Sequence, residues 1–243
     1  MAKFLVLSLL RTKFDGDIVV FKNSDVPLFM VPRAGVREVF IQTPDPDREL
    51  YWDYAQSFKF RVRHYLEVAD YDKVLFLDAD CLALRSIEPL IEGDWDLAVY
   101  PEPGTRAGSK WFNCFISEDD GAMMKEEGIN GGTIAVRAEL YQDVMAEWER
   151  IHFGPSPRPK FCADQAALTR LVIDTPLRTR RYARGEVATP FGYDQNPASY
   201  LHSRLVHLAG TNNFDLKLRF MFGLYLNTFF FDPEATLLHI LDF

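Results

Sequence analysis

Val74-Leu75-Phe76-Leu77-Asp78-Ala79-Asp80 decides how this chain is to be read. An uninterrupted apolar run leads into a pair of carboxylates set one residue apart. Such a run, bounded by polar residues, fits a strand buried on both faces of a parallel sheet. Ligands of open α/β sheets bind beyond the carboxyl ends of the strands. Two carboxylates placed there can share a hard divalent cation, which in turn can hold phosphate oxygens. The spacing alone carries little information, since the chain has five D-x-D pairs: Asp15/Asp17, Asp45/Asp47, Asp70/Asp72, Asp78/Asp80 and Asp94/Asp96. Only the fourth directly follows an apolar run. The competing reading is a strand-end turn in which an Asp caps the next helix.

The flanking sequence alternates strand-like and helical runs. Ile18-Val19-Val20-Phe21 and residues 36–41 read as strands. Residues 49–68 read as a helix with Tyr51, Tyr54, Phe58, Val62 and Tyr65 at three- and four-residue spacing. Leu97-Ala98-Val99-Tyr100 and residues 129–136 are further strands, and residues 138–151 a helix with Tyr141, Val144, Met145 and Trp148 on one face. A segment with Pro155, Pro157 and Pro159 leads to a helix starting near Asp164. This alternation predicts a layered α/β fold. Residues 101–129, with Pro101, Pro103, Gly104, Gly108, Gly121 and Gly128, read as a surface excursion over the site. No repeat, low-complexity tract or linker interrupts the 243 residues, so the expectation is one domain.

A formal net charge of −8 argues against general nucleic-acid binding. The cysteines, Cys81, Cys114 and Cys162, are odd in number and widely spaced, which fits a reducing, cytoplasmic setting better than a disulfide framework. Cys81, beside the carboxylate pair, reads as a buried small apolar residue. The opening Met1-Ala2-Lys3-Phe4-Leu5-Val6-Leu7-Ser8-Leu9-Leu10 is too short an apolar stretch for a signal peptide, and Arg11 and Lys13 follow at once. No window is long and apolar enough for a membrane span. The aromatic tail, residues 220–231, reads as core or as the subunit interface of a homo-oligomer.

Four further groups of residues carry candidate chemistry. Asn130-Gly131-Gly132 precedes an apolar strand; glycines admit a ligand close to the backbone and Asn hydrogen-bonds sugar hydroxyls in either sense, but Asn-Gly also makes an ordinary tight turn. Asp164-Gln165 heads a helix, as a cap or as a carboxylate and amide facing a reacting sugar. His207 ends the short apolar run Leu205-Val206-His207, as a packed residue or as a third metal ligand. In the latter case the mixed nitrogen and oxygen donors favour Mn²⁺ over Mg²⁺. Lys59, in the helix before the D-x-D strand, is a solvated cation or a ligand contact.

Taken in order, a Lys-bearing helix, L-D-A-D, Pro101-Glu102-Pro103-Gly104, N-G-G, D-Q and V-H-L-A-G resemble glycosyltransferase family 8, the retaining enzymes that include glycogenin and galactinol synthase. The resemblance runs from about Ala2 to Gly210 and is most specific at residues 71–80. It implies a type-A glycosyltransferase (GT-A, Rossmann-like) fold with a mixed, mainly parallel central sheet. It also implies a nucleotide-sugar donor, usually a UDP-sugar, Mn²⁺ (or Mg²⁺), and hexosyl transfer to a carbohydrate or other hydroxyl acceptor with retention. By position, Asp78 would touch the ribose and the metal, Asp80 would ligate the metal, and His207 would complete the protein ligands. Lys59, Ala79 and Gly210 fall among the donor contacts, Asn130, Gly131 and Gly132 among the sugar and acceptor contacts, and Asp164 and Gln165 beneath the donor sugar. The nucleotide-sugar part would span about residues 1–100 and the acceptor and catalytic part about 101–243.

Two departures stand out. The family's lysine-proline pair after H-x-x-G is replaced by Thr211-Asn212-Asn213-Phe214-Asp215, with Lys217 the nearest substitute. The strand that opens the family's nucleotide-binding part is also missing: the chain starts inside the following helix, so residues 2–12 are expected to be helical and the gene product to start upstream. The alternative is that residues 3–9 are themselves the first strand. Two other functions compete: a haloacid-dehalogenase-type phosphatase, with Asp119-Asp120 as its later acidic motif, and a non-catalytic nucleotide-sugar-binding relative.

Overall fold

The computed structural model describes residues 1–30, 32–41, 51–107, 126–154, 163–192 and 194–230, without the side chains of residues 51–55, 103 and 106. In chain order the elements are α1 (Ala2–Arg11), β1 (Ile18–Lys22), β2 (Val36–Phe40), α2 (Tyr51–Arg61), β3 (Lys73–Leu77), β4 (Cys81–Ala83), α3 (Glu88–Ile91), β5 (Leu97–Arg106), β6 (Glu127–Arg137), α4 (Tyr141–His152), α5 (Ala163–Asp174), β7 (Thr179–Arg181), β8 (Val187–Ala188), α6 (Pro197–Tyr200), β9 (Leu205–His207) and α7 (Phe214–Phe230). They divide into two compact units. The first comprises Met1–Phe40, Leu77–Glu92 and Ala183–Phe243, the second Ile41–Phe76 and Gly93–Tyr182.

In the first unit, β1 and β2 pair in parallel, with Ile18 opposite Val36. A three-stranded sheet runs β4-β9-β8, antiparallel between β4 and β9 and parallel between β8 and β9. The opening segment is a helix, as its resemblance implied. Leu5, Val6, Ser8 and Leu9 form its buried face, and it ends at Thr12, ahead of Lys13 at φ 60°. Ser8 ties this helix to the sheet. Its hydroxyl donates to Leu5 O at 2.7 Å and accepts from the buried Ala83 N–H at 3.0 Å. Helix α7 turns Met221, Leu224 and Tyr225 inward, and Tyr225 and Phe222 meet Phe4 with ring centroids 5.6 and 5.7 Å apart. The aromatic tail is therefore core on one face. The first turns of α7 are not covered: Phe214, Leu216 and Leu218 are exposed, and Phe222 is exposed beside its contact with Phe4.

The second unit is built on the sheet β3-β6-β5-β7. β5 and β6 are antiparallel; β5 and β7 are parallel. Helices α4 and α5 pack with it through Trp148, Met145, Tyr141, Leu168 and Leu171. The expected face of α4 is the buried one. Helix α2 differs from its sequence reading: it stops at Arg61 and tightens into a 3₁₀ turn over Val62–Tyr65. Its anchor is Phe60, fully buried against Trp148, while Tyr65 is exposed. β3 also differs, because it lies at the end of its sheet and is half-buried along its whole length, not covered on both faces. Residues 155–162 and most of the 101–129 excursion lie outside the described residues. No described helix is long and apolar enough to cross a membrane.

Replacing Ser8 by Ala would leave the Ala83 N–H buried without its acceptor, a loss of about 1–3 kcal/mol. Urea denaturation of Ser8→Ala should show a lowered midpoint with an unchanged slope. A midpoint equal to wild type would mean that α1 is not held to β4 by this bond.

Candidate functional site

The D-x-D pair sits in the tight connection from β3 to β4. Cys81 N–H donates back to Asp78 O at 3.0 Å, which leaves Ala79 exposed at the tip. The antiparallel ladder sets His207 opposite Cys81, and Leu208 N–H donates to Asp80 O at 3.1 Å. These backbone bonds bring the imidazole to the carboxylates. His207 Nε2 lies 3.4 Å from Asp80 Oδ1 and 3.6 Å from Asp78 Oδ2. Asp80 Oδ2 holds Lys217 Nζ at 2.6 Å, with both side chains largely buried. Burial pushes the Asp80 carboxyl up, but the contacts with His207 and Lys217 outweigh it and hold the group well below the usual carboxylate range. Burial lowers the Met1 ammonium, and the charge of Asp80 opposes that shift.

Ligand atoms of Asp80, Cys81 and His207 all lie within 4.8 Å of one another. Cys81 enters because it is the cross-strand partner of His207, so the two side chains share a face of the ladder. Two carboxylates and an imidazole nitrogen suit a divalent ion such as Mn²⁺. One further observation bears on the fit. His207 Nδ1 is buried and has no hydrogen-bond partner among the described residues, whereas a metal-ligating His usually donates from its second nitrogen. The oxygen and nitrogen donors fit the ion; the outer support of the imidazole is incomplete.

Asn130, Gly131, Gly132, Asp164, Gln165 and Lys59 belong to the second unit. The N-G-G motif is not the tight turn of its simplest reading. β6 runs straight through it, but the register jumps from Val99↔Ile134 to Tyr100↔Asn130, so Gly131, Gly132 and Thr133 form a bulge. Bulges of this kind re-aim a strand next to active sites. Asn130 Oδ1 braces the bulge by accepting from Gly132 N–H at 2.9 Å. Lys59 Nζ reaches it from α2, donating to Gly131 O at 3.1 Å and pairing with Asp164 Oδ2 at 2.8 Å. Lys59 is thus a largely buried partner of a carboxylate, not a solvated cation.

Asp164 is only 4 % exposed. Trp148 Nε1 donates to its carbonyl at 2.8 Å, and Gln56 Oε1 accepts from the preceding Ala163 N–H at 3.1 Å. Among the described residues, the Asp164 carboxylate is occupied by Lys59 rather than by a helix N–H. Gln165 Oε1 is buried without a hydrogen-bond partner among the described residues, a cost that a ligand donor would relieve. Gly210 has a sufficient reason of its own: φ is +99° and a Cβ would lie 2.7 Å from Phe191 O. Sequence reasoning missed two contacts, Lys217 on Asp80 and Cys81 among the ligand atoms. Nothing local links positions 137 residues apart, although the alternation across β4 and β9 would have placed Cys81 beside His207 had their pairing been known.

No family model matches the chain. PGSIP7 of Arabidopsis thaliana, provisionally named a glucuronosyltransferase, is 24% identical over 217 residues, covering 84% of this chain and 38% of the relative. The chain therefore spans well under half the length of that curated relative. Among solved structures, the galactosyltransferase LgtC in complex with donor and acceptor sugar analogs superposes with a TM-score of 0.57 at 15% identity, covering 96% of this chain and 93% of LgtC. An active-site mutant of LgtC gives 0.58 at 14% identity, covering 86% and 83%. The bifunctional glycosyltransferase WbbM gives 0.60 at 15% identity, covering 99% of this chain and 49% of WbbM. The fold is GT-A, an α/β architecture with mixed sheets.

Lys59→Met should cost about 3 kcal/mol, because it leaves the Asp164 carboxylate buried and uncompensated. Lys59→Met/Asp164→Leu should recover most of that loss, since no charge is then stranded. Denaturant titration of the four proteins of this cycle measures the coupling. Strictly additive effects would show that the pair is not the unit described.

Proposed function

We propose that this chain is a metal-dependent retaining glycosyltransferase of the family 8 type, moving a hexosyl group from a nucleotide-sugar, a UDP-sugar, to a hydroxyl acceptor. The observation that carries the reading is the convergence of Asp78, Asp80 and His207 at the ends of β3 and β9, on a GT-A fold. The similarity to PGSIP7 and LgtC supports glycosyl transfer as the chemistry. The interleaving of the two units along the chain, neither being one continuous segment, supports treating residues 1–243 as a single glycosyltransferase domain. A cytoplasmic setting rests on the cysteine pattern, and self-association rests on the exposed apolar side chains of the first turns of α7.

In this reading Asp78, Asp80 and His207 would hold Mn²⁺ or Mg²⁺, and Asp78 would also meet the ribose. When bound, such an ion would offset the diphosphate charge and so stabilise it as a leaving group. Transfer breaks the bond between the anomeric carbon and the diphosphate oxygen and forms a bond to the acceptor oxygen on the same face. The acceptor proton passes to the departing phosphate oxygen. Asp164 is the one candidate nucleophile, but an ammonium 2.8 Å away holds its charge in place and reduces its reach as an attacking group. We therefore assign Asp164 to electrostatic stabilisation of positive charge at the anomeric carbon. Gln165 and Asn130 orient sugar hydroxyls, and Lys59 fixes Asp164 against Gly131. Ala79 and the Gly131-Gly132 bulge complete the contacts to the donor.

A screen of nucleotide-sugars should find one UDP-sugar that is hydrolysed slowly, and only when Mn²⁺ is added. Asp80→Asn should remove metal-dependent UDP binding in calorimetry while the far-UV spectrum stays native. Unchanged UDP affinity in that variant would sink the metal assignment. Tight metal-dependent UDP binding with no turnover of any donor would favour a non-catalytic nucleotide-sugar-binding relative instead.

A further inference from the structure

The contact between Lys217 and Asp80 has a consequence for how the ion enters, and it rests on the reading of Asp78, Asp80 and His207 as ligands. Both oxygens of Asp80 are already engaged, Oδ1 facing His207 Nε2 at 3.4 Å and Oδ2 holding Lys217 Nζ at 2.6 Å. The Asp80 side chain is 14% exposed and that of Lys217 12%, so water screens this pair poorly. The Lys217 ammonium offsets the charge of Asp80, one of the two carboxylates the ion would use. A divalent cation entering there meets a carboxylate already paired with an ammonium, which repels it.

The position of Lys217 in its helix points the same way. It is the fourth residue of α7, in the first turn, where the helix dipole disfavours a cation. That turn is already closed by Asn213 Oδ1, which accepts from Leu216 N–H at 3.0 Å, and by Asn213 O, which accepts from Lys217 N–H at 3.0 Å. The ammonium therefore adds nothing to the local helix. Its favourable partner is Asp80, and a cation displaced from Asp80 needs another anion.

We propose that Lys217 is a built-in competitor for the metal: its ammonium holds Asp80 Oδ2 until a divalent cation and a nucleoside diphosphate arrive together. The cation takes Asp80, and the diphosphate gives the displaced ammonium a new partner. Metal and nucleotide then bind cooperatively, each strengthening the other by the same factor. A metal ion alone binds weakly, so the carboxylate pair stays closed to stray cations while the donor is absent.

The test measures Mn²⁺ binding to the whole chain by electron paramagnetic resonance or calorimetry, with and without UDP, in wild type, Lys217→Met, Lys217→Gln and Lys217→Arg. Wild type should bind Mn²⁺ roughly tenfold more tightly when UDP is present, the order of effect expected from one poorly screened charge pair. Lys217→Met should bind Mn²⁺ alone about tenfold more tightly than wild type and gain correspondingly less from UDP, keeping only the part that the contact of diphosphate with the ion supplies. Lys217→Gln should repeat this with a polar side chain and so covers a folding defect in the methionine variant. Lys217→Arg should keep the wild-type pattern. Mn²⁺ affinity that is unchanged or weaker in folded Lys217→Met or Lys217→Gln overturns the proposal and makes Lys217 a supporting partner of the ligand. So does a wild-type protein whose Mn²⁺ affinity ignores UDP. If neither wild type nor any variant binds Mn²⁺ or UDP, the ligand reading itself has failed, and this inference fails with it.

Discussion

The antiparallel ladder between Cys81–Ala83 and Leu205–His207 is the constraint on which the first cluster depends. It places His207 beside a carboxylate that precedes it by well over a hundred residues. The bond from Leu208 N–H to Asp80 O extends the same ladder by one step, so the turn carrying Asp78 and Asp80 cannot drift from the imidazole without losing backbone bonds. Strands β4 and β9 are wholly buried, where an unpaired N–H or C=O is costly. The ladder in turn leans on α1 through Ser8 and Ala83. A hydroxyl in the opening helix thus helps to fix the position of the Asp80 and His207 side chains.

Both clusters solve one electrostatic problem in the same way. Asp80 and Asp164 are each largely withdrawn from water, and each is paired with a lysine from a helix distant in sequence, Lys217 or Lys59. Withdrawing a carboxylate is tolerable only when it is paired and hydrogen-bonded. The pairs differ in what else the ammonium holds. Lys59 also donates to Gly131 O, so it is fastened to the backbone bulge, whereas among the described residues the Lys217 ammonium contacts Asp80 alone. A doubly anchored cation suits a fixed framework. A singly anchored one suits exchange.

Much of this was legible in the sequence. The strands near 18, 36, 74, 97, 129 and 205 and the buried face of α4 follow from apolar periodicity, and the opening helix from the family resemblance. Periodicity reports which face of an element is buried but not where an element lies in its sheet. That is why β3, apolar from Val74 to Leu77, read as covered on both faces although it lies at the end of its sheet among the described residues. The same limit applied to α2. Tyr65 satisfied the helical spacing, yet the chain had tightened into a 3₁₀ turn by then, and Phe60 carried the packing. The carboxylates and His207 could be named because each ends an apolar run. The partner of Asp80 could not be named, because a lysine in the first turn of an apolar helix carries no mark of what it faces.

Gly131 and Gly210 show how one residue type, expected in one role, can answer to two causes. At Gly210 the backbone is left-handed, and a Cβ would strike Phe191 O at 2.7 Å, so the chain's own path demands glycine whatever the site binds. At Gly131 the obstruction comes from side chains: Asp164 Oδ2 at 3.0 Å, Lys59 Nζ at 3.1 Å and Gln165 Cγ at 3.3 Å from where a Cβ would sit. An added methyl there would press on the pair that balances the second cluster and on the amide whose oxygen lacks a partner among the described residues. The missing Cβ of Gly131 therefore lets three side chains from α2 and α5 close over bare backbone. Of the two glycines, only Gly131 is tied by contact to the chemistry that its neighbours could perform.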